Sequence, residues 1–287
     1  MLRLAVATNV ETLTRIRDPL RERGIAAEYV QTKERAIPLD TDDFDGFDVG
    51  FVFPSRLMEG GVADALLSVP WVNDREAILR SRNKGGALAR LRRAGVDTLE
   101  TVVVSNPVSE GTLREVWSRF DPPVVVKPNS TTRGVGIAKA HDFDSFSGIV
   151  DYLDLVHDYR ATGDRSFLVQ AFFPDARDYR VMCIEGEYAG AVERRLPDDA
   201  LAEGGWKHNV HRGAEATGVE LEPGDPVRAC AEAAAAALDI DWLGVDVLVS
   251  GDRAVVTETN ARPTVDAATK YDPDFYDRLA ALIRSRA

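Results

Sequence analysis

Short apolar runs, none longer than a strand, recur along this chain of 287 residues. LRLAVAT, AAEYV and DVGFVF come first, and residues 11–23 have helical spacing that stops at Gly24. Strand alternating with helix predicts an α/β unit around a parallel sheet. One long helix is expected over 74–93, with Asn73 or Asp74 as its cap and Gly95 as its stop. TVVVS, the helix EGTLREVWSRF and the strand PPVVVKP follow. Beyond Ser166 come FLVQAF, YRVMCI and YAGAVERR, then a polar loop over 196–208 and a helix over about 225–238. The strands LGVDVLVS and AVVTETN and a helix over 273–284 end the series. The expected division is an α/β lobe over 1–72 and two α+β lobes over 73–165 and 166–287. A chain of this length can bury a large core in two or three such lobes. No repeat is visible, and no apolar stretch reaches the roughly 20 residues that span a membrane.

Charge narrows the choice of partners. There are 47 acidic against 35 basic residues, a net charge of −12, and the lysines are only Lys33, Lys84, Lys127, Lys139, Lys207 and Lys270. So acidic a surface argues against nucleic acid, whose binding needs cations that displace counterions. It suits concentrated salt, where charges are screened within about 3 Å at 1 M. An acidic, lysine-poor chain resembles proteins of extreme halophiles; an ordinary acidic cytosolic protein is the alternative. Cys183 and Cys230 are too few for a disulfide framework or a thiolate metal site. The start, MLRLAVATN, reads as a strand rather than a signal peptide, so a reducing, cytoplasmic setting is expected.

Four segments carry chemistry. In VVVKPNSTTRGVGIAKA a strand delivers Lys127 to a loop with Thr132, Gly134 and Gly136. Small residues let backbone N–H groups approach a phosphate, and lysine adds a point charge. The lysine precedes the glycines, so this is not a Walker loop; a plain hairpin turn is the alternative. SRNKGG places Lys84 on an arginine-rich helix, which means little by itself. In GVDVLVSGDRAVVTETN, Glu258 and Asn260 share a strand face, and a turn at SGDR would bring Asp246 beside them. Three oxygen ligands without His or Cys suit magnesium at nucleotide phosphates; solvated acids on a hairpin are the alternative. GGWKHNVHRGAE offers Lys207, Asn209, His211 and Arg212 to a triphosphate or an anionic intermediate. His208 and His211 could instead seed a zinc site, but His141 and His157 are distant and no cysteine is near.

The order of these segments resembles the ATP-grasp superfamily, and within it the RimK-like branch of glutamate ligases. The resemblance runs from about Trp71 to Ile283 and is carried by YAGAVERR with NVHRGAE, by GVDVL with ETN, and by LVQAFF. It implies an ATP-grasp fold, a parallel-sheet lobe followed by two α+β lobes that clasp ATP. By resemblance Lys84 and Lys127 would hold phosphates; Gln170, Ala171 and Phe173 would meet adenine and Asp178 ribose. Lys207 and Asn209 would reach the triphosphate. Asp246, Glu258 and Asn260 would hold magnesium, two ions, with manganese as a substitute. Arg194 and Arg212 would act in catalysis, and Arg180 and Arg262 on substrate carboxylates. There are two departures: Ala171 stands where the family has glutamate, so backbone groups would do more of the adenine recognition, and ARPTVD replaces a Ser-Pro-Gly-like run after Asn260, which leaves the amino acid open. A salt bridge from Arg262 to Asp266 is the structural alternative.

The implied activity is ATP-dependent joining of an amine to a carboxylate through an acyl phosphate, with Arg212 at the oxyanion and glycine loops near Gly134 and at Gly204–Gly205 as lids. The partners are ATP, an amino acid and a carboxylate acceptor that is a small molecule, a coenzyme or a protein tail; a homo-oligomer is allowed. A kinase acting on a hydroxyl and a non-catalytic nucleotide-binding module are the competing readings.

Overall fold

The structure is a computed structural model that describes residues 1–7, 10–131, 135–158, 164–208, 210, 213–267 and 270–287. The first sheet is parallel, in the order β2-β1-β3-β4, from β1 (Leu2–Val6), β2 (Ile25–Tyr29), β3 (Val49–Phe51) and β4 (Trp71–Val72). Helices α1 (Val10–Glu22) and α2 (Leu57–Leu67) are its crossovers. Leu4, Ala5, Val6, Val49, Phe51 and Val72 are fully or almost fully buried, as parallel strands covered on both faces must be.

The long helix expected over 74–93 is two helices, α3 (Arg75–Arg82) and α4 (Lys84–Arg93). Asp74 caps α3 through the Ala77 N–H. Asn83 breaks the helix: it leaves helical geometry and its side chain accepts from the Gly86 N–H, capping α4. Gly85 and Gly86 follow at once, and glycine is a poor helix former. The break sets Lys84 at a helix start instead of on a solvated face.

The central sheet holds β5 (Thr101–Ser105), β6 (Val124–Pro128), β7 (Ala138–Ala140) and β8 (Ser166–Ala171), antiparallel in the order β5-β8-β6-β7. Helices α5 (Glu110–Trp117) and α6 (Phe143–Asp158) cover one face over Val124, Val126, Phe167 and Val169, with Phe146 of α6 buried in the same core. Because β8 pairs inside this sheet, the crossing to the third sheet comes after Ala171.

The third sheet runs β11-β10-β9-β12-β13, from β9 (Arg177–Ile184), β10 (Glu187–Arg195), β11 (Glu215–Val219), β12 (Trp242–Ser250) and β13 (Arg253–Asn260). A short helix α7 (Asp198–Ala202) follows β10. Helix α8 (Pro226–Leu238), capped by Asp225, lays Val227, Ala231, Ala234, Ala235 and Leu238 on one sheet face. The last helix, α9 (Phe275–Arg286), brings Phe275 to 5.8 Å from the Trp242 ring, which lies equally close to Phe51. The first and third sheets therefore share one continuous core, whereas the central sheet has its own.

The other face of the third sheet is crossed by the chain after β13. Side chains added at Gly244, Gly190 and Gly218 would stand 3.0 Å from Pro263, 2.7 Å from the Tyr271 backbone and 3.1 Å from the Lys270 backbone. Glycine on β12, β10 and β11 is what lets this segment lie against the sheet.

Candidate active site

Antiparallel register lines up the charged residues of the sheet face away from α8. Arg180 on β9 is opposite Asp246 on β12, which is opposite Glu258 on β13. Asp178 is opposite Arg194 on β10. Residues directly opposite share a face, so these five form one patch, with Asn260 two residues beyond Glu258. A bulge after Asp246 offsets the strands, and Asp246 and Glu258 stay opposed on its near side. The turn expected at SGDR does join the acids.

The patch is densely paired. Arg180 grips Asp246 with two bonds of 2.8 Å. Arg194, almost fully buried, bonds Asp178 at 2.9 Å and comes within 3.3 Å of Asp246. Burial works to raise the Asp246 carboxyl, but the Arg180 and Arg194 guanidiniums outweigh it and hold it well below the usual carboxylate range. Asp178 goes the other way: burial pushes it up against the pull of Arg194. Such a network persists only when each charge is met, since an unmet buried charge costs several kcal/mol, on the order of 3–5.

The central sheet and the start of α4 each supply one opposing cation. Lys127 on β6 donates to Gln170 Oε1 at 2.6 Å, and the Gln170 amide donates to Thr101 at 3.0 Å. Burial lowers the Lys127 ammonium, while Glu258 pulls it up and Lys84 pushes it down, so all three lie within electrostatic reach. Lys84 is buried, bonds the Thr131 carbonyl and stands 3.4 Å from Glu258. Asn129 fixes this corner: its amide takes the Gly85 N–H at 2.8 Å and reaches Asn83 and Ser166. Altogether four cations, Lys84, Lys127, Arg180 and Arg194, meet three carboxylates in a chain of net charge −12.

The loops close over the same place. At Gly136, φ is +78° and a side chain would press on Pro128 at 2.8 Å, so both conformation and space require glycine. Lys207 donates to the Ile137 carbonyl, which ties the polar loop before β11 to the central sheet. Lys139 sits between the rings of Phe172 and Trp206, at 4.7 and 5.3 Å from their centroids. Neither Trp206 nor Lys139 was singled out from sequence, because their pairing spans 67 positions that no local pattern connects. Thr132, Gly134, Asn209, His211 and Arg212 lie outside the described residues. Ala171 and Phe173 line a cavity of about 670 Å³ at the hinge with Thr98, Glu100, Phe172 and Arg253. Gln170, expected at adenine, and Asp178, expected at ribose, do not line it, nor does Lys127, expected at the phosphates.

Arg262 turns toward the first sheet. Its guanidinium donates to the carbonyls of Ala7, Val52 and Phe53, and Asn260 Oδ1 accepts its backbone N–H at 2.8 Å. The four-residue pairing with Asp266 is not made; Asp266 takes Lys270 at 2.9 Å and Arg15 at 3.7 Å. Asn73, expected only as a helix cap, is buried and binds the Trp242 N–H and the Trp242 and Ala261 carbonyls. It fixes the start of β12 and the end of β13 against the first sheet.

Among the described residues no three His, Cys, Asp or Glu side chains gather as a metal set. Two carboxylates and an amide on one face still fit a hard cation that takes its remaining ligands from phosphate oxygens. A central sheet that brings Lys127, and a helix start that brings Lys84, to the acids of a third sheet define the ATP-grasp class. The family profile of the RimK-like ATP-grasp domain matches residues 81–281. A protein named "Probable alpha-L-glutamate ligase" from Thioalkalivibrio sulfidiphilus is 32% identical over 221 residues, 75% of this chain and 67% of that protein. The ribosomal protein bS6–L-glutamate ligase of Escherichia coli is 28% identical over 201 residues, 69% of this chain and 62% of that protein. The chain thus spans about two thirds of the length of these relatives. The crystal structure of a RimK-domain ATP-grasp protein from Sphaerobacter thermophilus superposes with a TM-score of 0.69, at 22% identity over 98% of this chain and 99% of that one. The chain belongs to the RimK-like ATP-grasp family.

Proposed function

We propose that this protein is an ATP- and magnesium-dependent carboxylate–amine ligase that adds glutamate or another amino acid to an acidic acceptor. The observation that carries the reading is the convergence of Lys127 from the central sheet and Lys84 from the start of α4 on Glu258 and Asp246 of the third sheet. The glutamate-ligase names of the relatives support the reaction, and the ribosomal-protein acceptor in one of them supports a protein tail as one acceptor class.

In this reading Lys84 and Lys127 neutralise the phosphates, and Lys207 and Asn209 reach the triphosphate. Thr132, Gly134 and Gly136 cover it. Gln170, Ala171 and Phe173 meet adenine, and Asp178 meets ribose. Magnesium at Asp246, Glu258 and Asn260 would supply the charge that offsets the γ-phosphoryl group in transfer. A carboxylate takes that group and becomes an acyl phosphate; the amine then attacks its carbonyl carbon and phosphate leaves. Arg194 and Arg212 stabilise the oxyanion of that attack. Arg180, once turned from Asp246, offers its fork to a substrate carboxylate. The loop held by Lys207 and Trp206 excludes water that would hydrolyse the acyl phosphate.

A screen of amino acids and acidic acceptors for ADP release tests the reaction, with calorimetry of ATP and magnesium beside it. Lys127→Ala should lose nucleotide affinity at least tenfold, and Glu258→Gln should fold normally but turn over at least a hundredfold more slowly. Equal affinity in Lys127→Ala, or ADP release that needs a hydroxyl and no amine, would sink the assignment.

A further inference from the structure

In a chain this acidic, a sheltered arginine without a carboxylate partner needs a reason. Among the described residues, Arg3, Arg15, Arg23, Arg80, Arg180, Arg194, Arg228 and Arg278 are buried or half-buried, and each faces an Asp or Glu. Arg82 and Arg262 are the two exceptions. Arg262 bonds only carbonyl oxygens, and Arg82 makes one hydrogen bond, 3.0 Å, to the Ser55 carbonyl. They are neighbours: burial and the nearby Arg82 charge bring the Arg262 guanidinium down to about 10.

Their position is informative. Arg262 follows Asn260 by two residues, and Arg82 precedes Lys84 by two, so each is a near chain neighbour of a residue of the candidate site. Ser81 locks the two elements together, accepting the Ala261 N–H at 3.0 Å and meeting Thr259 at 3.3 Å. Both guanidiniums converge on residues 52–55 at the carboxyl end of β3. There Val52 has φ of +62°, a conformation that costs a β-branched residue on the order of 1–3 kcal/mol and that collects at ligand clamps. Two like charges held side by side repel, and an anion between them would relieve that repulsion. Arg262 is anchored by its backbone bonds and contributes charge. Arg82, held at one nitrogen, keeps N–H groups to present as a fork.

We propose that Arg82 and Arg262 form the subsite for a non-reacting carboxylate of the substrate, the reacting one lying at the Lys84–Glu258 side. This rests on the ligase reading and narrows its substrates to those carrying a second carboxylate close to the reacting group. That carboxylate belongs to the incoming amino acid or to the acceptor.

Binding without turnover tests this and separates the two sources. Wild type and Arg82→Gln, loaded with magnesium and a non-hydrolysable ATP analogue, are titrated by calorimetry with four probes. L-Glutamate and its α-amide stand for the incoming amino acid, and N-acetyl-L-glutamate and its α-amide for the acceptor. The expected result is a loss of tenfold or more in Arg82→Gln for one of the two acids, with little change for its amide. Arg82→Lys, which keeps the charge but not the fork, should recover part of the loss. A change under tenfold for both acids overturns the proposal, as does an equal loss of affinity for the ATP analogue. Absence of ADP release with any amine would defeat the ligase reading and leave this binding result to be judged by itself.

Discussion

Single residues differ in how far they reach. Asp246, Glu258 and Asn260 were legible because period two and one turn decide where they point. Lys84 is legible only through the family resemblance: a lysine among arginines on a helix says nothing by itself, until the helix breaks at Asn83 and buries it. Arg262 was read as facing substrate, and its carbonyl partners lie more than 200 positions away, beyond any local rule. Asn73 is the same kind of residue. It holds a left-handed φ of +55°, which Asn tolerates better than Ala, and its amide serves three backbone groups of the third sheet. Asn73→Ala strands those groups and adds backbone strain, so it should destabilise by about 3 kcal/mol or more. Denaturant unfolding checks this; a change under about 1 kcal/mol would show that water replaces the amide. Asn73→Asp, which keeps the acceptor but loses the donor, should fall between.

Elements were legible where they alternate cleanly. Most strands of the three sheets and the helix over 226–238 follow their sequence patterns, whereas the short β4 and β11 do not stand out as apolar runs. Helix α2 did not show itself, since LMEGGVADALL contains two glycines and lacks an apolar stripe. The segment after β13 could not be placed either, because what seats it is a set of glycines on three other strands. This seating can be measured. Gly190 has φ of +135° and no room for a side chain, whereas Gly24 has φ of +75° and nothing within 4 Å. Gly24→Ala therefore tests backbone conformation alone and should cost about 1 kcal/mol. Gly190→Ala must also push against the Tyr271 backbone and should cost about 3 kcal/mol or more. Similar losses in the two variants would mean that the crossing segment yields easily and is not held against the sheet.

At the scale of the whole molecule, two physical facts compete. The first and third sheets share a core and the central sheet has its own, so the cleft lies between two separately packed bodies that join near Ala171. Across both bodies the surface carries many Arg–carboxylate pairs, such as Arg114–Glu110 and Arg253–Asp97. Salt weakens these pairs, but each exposed one is worth only about 0–1 kcal/mol. Salt also screens the repulsion of the net −12 charge, which acts over the whole surface and opposes compactness. Pairs are short-ranged and repulsion is long-ranged, so shortening the Debye length from about 10 Å at 0.1 M to about 3 Å at 1 M removes more of the second than of the first. The expected outcome is a melting temperature that climbs with potassium chloride from dilute buffer to about 2 M, steeply at first. A chloride salt is the proper choice, since sulfate stabilises any protein by exclusion from its surface. A flat profile would mean that paired charges offset the repulsion, and the acidic composition would then have no bearing on salt.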